Sequence, residues 1–249
     1  MGVTTVEYKV TDPANNMTAC TFTVTVQDKE APKVTCPTNV LVGMDNEVCY
    51  ATRTNAQLRP TATDNCSTDA LMIPANTTHS ISGALIKATT TGLVPSNTQF
   101  PAGISYITYT VHDGAAPTTN SATCQFVIEV YDNQAPTLPN CPNGQTITVN
   151  TDGTMSPSNP IVAAGLNYPA FNITPTTSPS NGCGIQISYP TPTALDNCAA
   201  SSMTNTGGMG SGLHYYGVGT HTETWKATDA NGNTVACSFT ILVKDNEYH

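Results

Sequence analysis

The side chains of this chain that could do chemistry are nine cysteines, five histidines and a set of aspartates lying among asparagines. Nucleophilic catalysis of the Ser-His-Asp kind needs three side chains converging on one point. His112-Asp113 at a strand end, and His214 and His221 flanking a Tyr-Gly stretch, come nearest to that composition. No G-x-S-x-G, H-E-x-x-H or phosphate-cradling loop accompanies them. They read as surface or strand-edge histidines, and the chain reads as no enzyme, with no catalytic and no cofactor-binding residue. Zinc frameworks need C-x-x-C pairs or clustered histidines, and neither occurs. Calcium asks for oxygen ligands at alternate positions, which Asp229, Asn231 and Asn233 offer. The bidentate Glu that closes such a loop is missing, and Asp-Ala-Asn-Gly-Asn is also a tight turn. No cofactor is expected; calcium at Asp229, Asn231 and Asn233, or at Asp28 and Glu30, is the candidate, and the fold is expected to hold without it.

The cysteines carry more information as staples. Nine near-regularly spaced cysteines in a Thr- and Asn-rich chain point to structural disulfides and an extracellular or cell-surface setting. The net charge is −9 and the eight Lys plus Arg are spread thinly. A phosphate-neutralising patch and a polybasic membrane-binding cluster are both missing, so neither nucleic acid nor an anionic bilayer is an expected partner. No run of eighteen apolar residues could span a membrane, and GVTTVEYKV after Met1 is no signal peptide. The sequence reads as an interior piece of a larger secreted protein, or as a mature region without its leader.

These residues sit on an internal repeat. Gly2, Gly103 and Gly219 are each followed six residues later by an aromatic (Tyr8, Tyr109, Trp225) and four beyond that by Asp12, Asp113 or Asp229. Cys20, Cys124 and Cys237 follow, each eight residues before Asp28, Asp132 or Asp245. Cys124, Phe126, Ile128 and Val130 alternate with other residues, as do Cys20, Phe22, Val24, Val26 and Cys237, Phe239, Ile241, Val243. That period of two is the mark of a strand with one buried face. The preceding strands alternate too (Val6, Tyr8, Val10; Ile107, Tyr109, Val111), and DPANN, DGAAPTTN and DANGN supply turn chemistry between them. Trp225 reads as a core aromatic.

The upstream halves also repeat. Asp28-Lys-Glu-Ala-Pro32 leads to Cys36-Pro37, and Asp132-Asn-Gln-Ala-Pro136 to Cys141-Pro142; Thr-Asp64-Asn-Cys66 returns as Leu-Asp196-Asn-Cys198. Short strands within NVLVGM and QTITVN, with turn signals every ~8–12 residues, indicate β-sandwiches. The divisions are 1–27 (the last two strands of a unit), 28–132, 133–245 with an inserted Pro/Ser/Thr-rich loop over 151–180, and 246–249 as the start of a further linker. Gly207–Gly212 reads as a flexible tip. Short Pro-bearing linkers imply neighbours held in a semi-rigid line.

Together D-x-x-x-P, C-P, D-N-C, an aromatic-bearing strand ending T-D, and C-x-F-x-V-x-V-x-D resemble the hyalin-repeat (HYR) family over essentially the whole chain. The departures are the 151–180 insertion and Tyr248, where the next linker would approach its Pro. The resemblance implies an all-β fold of tandem immunoglobulin-like antiparallel β-sandwiches, and a structural or adhesive role with no catalytic residue. Three function classes follow: a structural subunit of a surface fibre, filament or matrix array, partnered by other copies or neighbouring repeats; an adhesin or receptor module binding an extracellular protein or glycan through the inserted loop; and an accessory module of a larger secreted enzyme.

Four cysteines per full unit allow three connectivities. First and last strands of such sandwiches can lie side by side, which favours Cys36–Cys124 and Cys141–Cys237 and leaves Cys49–Cys66 and Cys183–Cys198. Cys20 then has no partner in its own segment. A window cut from a longer array explains this, with the rival that a neighbouring subunit completes residues 1–27 by strand addition. Asn16, Asn65, Asn76 and Asn172 are glycosylation acceptors by motif, no more numerous than this composition gives by chance; Asn76 and Asn172, in long loops, are favoured.

Overall fold

The computed structural model describes residues 2–114, 119–156, 174–176, 183–198 and 201–246. Asn172, Tyr248 and most of the expected 151–180 insertion lie outside them. The chain divides into two compact units, residues 1–45 with 49–131 and residues 46–48 with 132–249.

The first unit contains β1 (Gly2–Thr11), β2 (Met17–Val26), β3 (Lys33–Thr35), β4 (Val40–Gly43), β5 (Tyr50–Arg53), α1 (Asn55–Leu58), β6 (Thr61–Thr63), α2 (Asp69–Met72), β7 (Thr77–Gly83), β8 (Lys87–Thr91), β9 (Thr98–Pro101), β10 (Gly103–His112) and β11 (Ser121–Tyr131). Both helices are single turns, as a sequence of strand and turn formers allows. A five-stranded sheet runs β4-β11-β10-β7-β8, with two-stranded sheets β3-β6 and β5-β9 beside it. The long hairpin is its centre: β10 and β11 pair from Gly103↔Val130 to His112↔Ser121, putting Ile107 opposite Phe126 and Tyr109 opposite Cys124. The alternation is expressed as written, with Ile107, Tyr109, Val111, Phe126, Ile128 and Val130 all buried.

The second unit contains β12 (Thr146–Asn150), β13 (Met155–Ser156), β14 (Thr174–Thr176), β15 (Gly184–Tyr189), β16 (Ser202–Gly207), β17 (Gly212–Gly217), β18 (Gly219–Thr228) and β19 (Thr234–Lys244). A five-stranded sheet, β13-β12-β19-β18-β16, and a three-stranded sheet, β14-β15-β17, share one core. Ile147, Trp225, Phe239 and Ile241 come from the larger sheet and Ile187, Tyr189 and Tyr216 from the smaller. Within the expected insertion, β13 adds to β12 and β14 adds to β15, so its residues 155–156 and 174–176 are strand, while 151–154 form a turn.

The fold is all-β and sandwich-like, but the sheets are mixed rather than purely antiparallel. β4 runs parallel to β11 and β12 runs parallel to β19. The residues after Cys36-Pro37 and Cys141-Pro142 travel with the last strand, covering backbone groups that would otherwise form an open edge. At the head of each parallel pair a disulfide joins the two lines, Cys36 to Cys124 and Cys141 to Cys237, with Cα atoms 5.7 and 6.4 Å apart. The other expected pairs, Cys49–Cys66 and Cys183–Cys198, are not formed. Cys66 and Cys183 are exposed free thiols, whereas Cys49 and Cys198 are disulfide-bonded. Cys66 sits in a tight turn, its amide and that of Ser67 donating to Asp64 Oδ2 at 2.9 and 3.0 Å, and its expected partner Cys49 is disulfide-bonded but not to it.

The β1–β2 hairpin has the same register with Tyr8 opposite Cys20, yet forms a sheet of its own. Tyr8 stacks on Phe22 at 5.9 Å as Tyr109 stacks on Phe126 at 6.3 Å. Tyr8 and Phe22 are 61% and 47% exposed, however, while Tyr109 and Phe126 are buried. The counterpart of a core face is bare, and Cys20 is a free thiol.

Cys36–Cys124 closes a separation of 88 residues. Chain-entropy reasoning gives it about 4–5 kcal/mol of stabilisation. Replacing both cysteines by Ala is expected to lower stability by about that amount in urea unfolding of the first unit, with the β10–β11 core still formed.

Candidate functional site

A single buried carboxylate, Glu223, and a cluster of three aspartates, two of them buried, stand out, and both lie in the second unit. Glu223 belongs to β18, two residues before Trp225 and four before Ala227, all three inward-facing and buried. A carboxylate inside an apolar core is costly unless its lone pairs are filled. Here Tyr189 and Tyr216 donate their hydroxyls to it at 2.6 and 2.9 Å, and the amides of Met209 and Gly210 donate at 3.0 and 2.9 Å. Burial first, and the neighbouring Glu223 carboxylate with it, pushes both tyrosine hydroxyls up, well beyond their usual range. The Gly207–Gly212 stretch, expected to be a flexible tip, is thus tied down from beneath. Gly208 sits at φ +90°, and a Cβ there would collide with Glu223 Oε2, so glycine is required there. All four acceptor positions are used by protein donors, which makes Glu223 a structural anchor.

The second group is Asp132, Asp196 and Asp229. One carboxylate oxygen from each lies within 4.8 Å of the other two. Three short-range devices bring them together. Asp132 and Asp196 each begin a tight turn, accepting from the amides of Gln134 (3.0 Å) and Cys198 (3.0 Å). An isolated bridge pairs Thr137 with Leu195, holding the Asp132 segment beside the Asp-Asn-Cys turn. Asn233 supplies the third tie: its side-chain amide donates to Asp229 Oδ2 at 2.8 Å and to the Asp132 carbonyl at 3.2 Å. Burial raises the Asp229 pKa, but hydrogen bonds from Asn233, Asn231 and Gly232 outweigh it and hold that carboxyl below the usual range. Asp132 is only 4% exposed, and its Oδ2 is buried with no hydrogen-bond partner.

The calcium candidates read from the sequence are therefore rearranged. Asn231 and Asn233 donate backbone amides to Asp229 Oδ1, both at 2.8 Å, and the Asn233 side-chain NH2 donates to Asp229 Oδ2. Asp229 faces Asp132 and Asp196. Asp28 and Glu30 are likewise a turn, the Glu30 amide donating to Asp28 Oδ1 at 3.1 Å. The signal for the true grouping was present in the repeat: Asp28, Asp64 and Asp113 occupy the same three positions in the first unit. There Asn120 plays the part of Asn233, donating to Asp113 Oδ2 (2.7 Å) and to the Asp28 carbonyl (3.4 Å).

Three of the five histidines face backbone carbonyls. His214 and His221 place Nε2 at 3.0 and 2.8 Å from the carbonyls of Ser211 and Gly217, and His79 places Nδ1 at 2.8 Å from that of Gly92. Of the glycosylation motifs, Asn16, Asn65 and Asn76 each direct the amide nitrogen to an acceptor: Asp12, Glu30 and the Leu71 carbonyl.

The family model of the HYR domain matches residues 1–26 and 167–243. Both stretches close on equivalent valines, Val26 and Val243, each six residues after its cysteine. Over those residues the chain matches the HYR domain. Hyalin of Strongylocentrotus purpuratus is 28% identical over 253 residues, covering 98% of this chain and 16% of that protein. Hyalin of Lytechinus variegatus is 27% identical over 250 residues, covering 99% of this chain and 38% of its own length. The chain thus spans less than two fifths of either relative. Solved structures that match include mouse cadherin-23 EC22-24 (17% identity, TM-score 0.33, 98% of this chain and 74% of that one) and protocadherin gamma B2 domains 3–6 (14%, 0.35, 96% and 60%). Those scores are too low to define a shared arrangement.

Glu223→Gln tests the anchor. Glutamine keeps one acceptor oxygen but aims an NH2 at donors, leaving buried groups unsatisfied. The expected loss is about 2–4 kcal/mol in denaturant unfolding of the second unit, with faster amide exchange at Met209 and Gly210.

Proposed function

We propose that this chain is a non-catalytic extracellular segment of a surface fibre, filament or matrix array, working by adhesion between units. One observation carries the reading: the β1–β2 hairpin repeats the stacking and register of β10–β11 but leaves its core face bare and its cysteine free. An isolated two-stranded sheet is marginal in water, and its edges invite pairing. In both units the matching cysteine is bonded to a cysteine that precedes proline, Cys36 or Cys141. Residues 1–27 are accordingly the closing strands of a further unit, completed by strands of the same family that bring a Cys-Pro cysteine to Cys20.

The remaining divisions follow from this: 28–132 and 133–245 as successive HYR-like units, and 246–249 as a linker onward. The similarity to hyalin and the disulfide-bonded cysteines support an extracellular place, with copies or neighbouring repeats as partners. Among the described residues no helix is long and apolar enough to cross a membrane.

Non-reducing peptide mapping of the native protein, paired with electron microscopy of the purified material, tests the reading. The expected result is Cys20 joined to a Cys-Pro peptide, together with ordered fibres or sheets. A free Cys20 thiol in dispersed single particles would overturn it, and saturable binding of a soluble protein or glycan by those particles would favour an adhesin instead.

A further inference from the structure

We propose that Asp132, Asp196 and Asp229 form a binding site for a hard divalent cation, calcium by its chemistry. The inference goes beyond the array reading and does not depend on it. Two independent observations point to a ligand. Three carboxylates of like charge converge within 4.8 Å, and among the described residues neither Asp132 nor Asp229 takes part in an ion pair. Like charges at such distances repel unless a proton or cation lies between them. In addition, Asp132 is more than nine-tenths buried, yet its Oδ2 accepts no hydrogen bond. Contrast Glu223, equally buried, where four protein donors fill the carboxylate. Protein donors help fix the orientation of all three aspartates: the Gln134 and Cys198 amides and the Asn233 side chain.

The donor set selects the cation class. It is all oxygen, and Cys198, the nearest sulfur in sequence, is disulfide-bonded and offers no thiolate. Soft metals favour thiolate and imidazole, whereas calcium takes carboxylate and carbonyl oxygens at about 2.3–2.6 Å. Two oxygens on one calcium can then lie up to about 5 Å apart, which accommodates this spacing. The three ligands come from the unit's first segment, its Asp-Asn-Cys turn and its β18–β19 turn. A bound cation would cross-link them at one end of the sandwich.

The test uses the 249-residue chain stripped with EDTA, dialysed, and titrated with calcium chloride by calorimetry and thermal melting. Wild type is expected to bind saturably, with Kd on the order of 10⁻⁴–10⁻³ M, and to melt at a higher temperature with calcium. Asp132→Asn and Asp196→Asn keep an oxygen for the Gln134 and Cys198 amides and remove only charge. Each is expected to weaken this site by at least about tenfold. In EDTA each should melt no lower than wild type, because one of three repelling charges is gone, and calcium should no longer raise it. Asp152→Asn, outside the cluster, should behave as wild type. No saturable heat with wild type up to about 10 mM calcium, tenfold above the weak end of that range, would overturn the proposal. So would unchanged affinity in both Asp132→Asn and Asp196→Asn, which would place any bound calcium elsewhere, such as the Asp28, Asp64 and Asp113 counterparts. Equal stabilisation by magnesium at equal concentration would overturn the calcium assignment.

Discussion

The long antiparallel ladder at the end of each unit is the constraint on which the rest depends. β18 and β19 pair without a break from Gly219↔Val243 to Thr228↔Thr234, and β10 and β11 do the same over ten positions. A ladder of that length presents two faces, and strict alternation sends one of them inward. The core is whatever can be laid against that inner face: β12 in parallel on one side, β16 on the other, and β15 and β17 across the sandwich. Each disulfide fastens the incoming Cys-Pro segment to this ladder, where strand addition alone would leave the segment a short edge. The β1–β2 hairpin shows the dependence from the other side, having the ladder and the alternation without anything to bury.

Carboxylates divide the work at the ends of the ladder. Glu223 is filled by four protein donors and acts as a rivet beneath the Gly207–Gly212 turn. The aspartates of the linker, the Asp-Asn-Cys turn and the β18–β19 turn accept amides of their own loops and also bring one oxygen each within 4.8 Å of the others. The difference is one of satisfaction rather than burial. A filled carboxylate stabilises a fold, and a partly filled cluster holds capacity for a cation.

Much of this was legible in the residues. The period-two faces, the strands within NVLVGM and QTITVN, and the core position of Trp225 all follow from pattern alone, because each is a one-dimensional consequence of strand geometry. The parallel course of β4 and β12 was not, since direction across a sheet is set by where a segment enters rather than by its own sequence. Glu223 was missed although its signal was plain: it stands where Val6 and Ile107 stand in the other copies, so alternation should have placed it inside. Cys66 and Cys183 were assigned by elimination, which assumes that every cysteine pairs inside its own repeat; Cys49 and Cys198 are bonded, but not to them. The aspartate trio was visible only as three separate repeat landmarks, because nothing in a linear spacing says that they meet.

The central claim is that the closing ladder, once its inner face is covered, is the most stable part of each unit. Hydrogen exchange of backbone amides in the 249-residue chain, resolved to peptides by mass spectrometry, measures this directly. The account predicts that inner-register amides of β10–β11 and β18–β19 exchange orders of magnitude more slowly than those of β1–β2, which share the pairing but not the cover. Equal protection in all three hairpins would contradict it, by showing that the ladder alone, and not the core laid against it, supplies the stability.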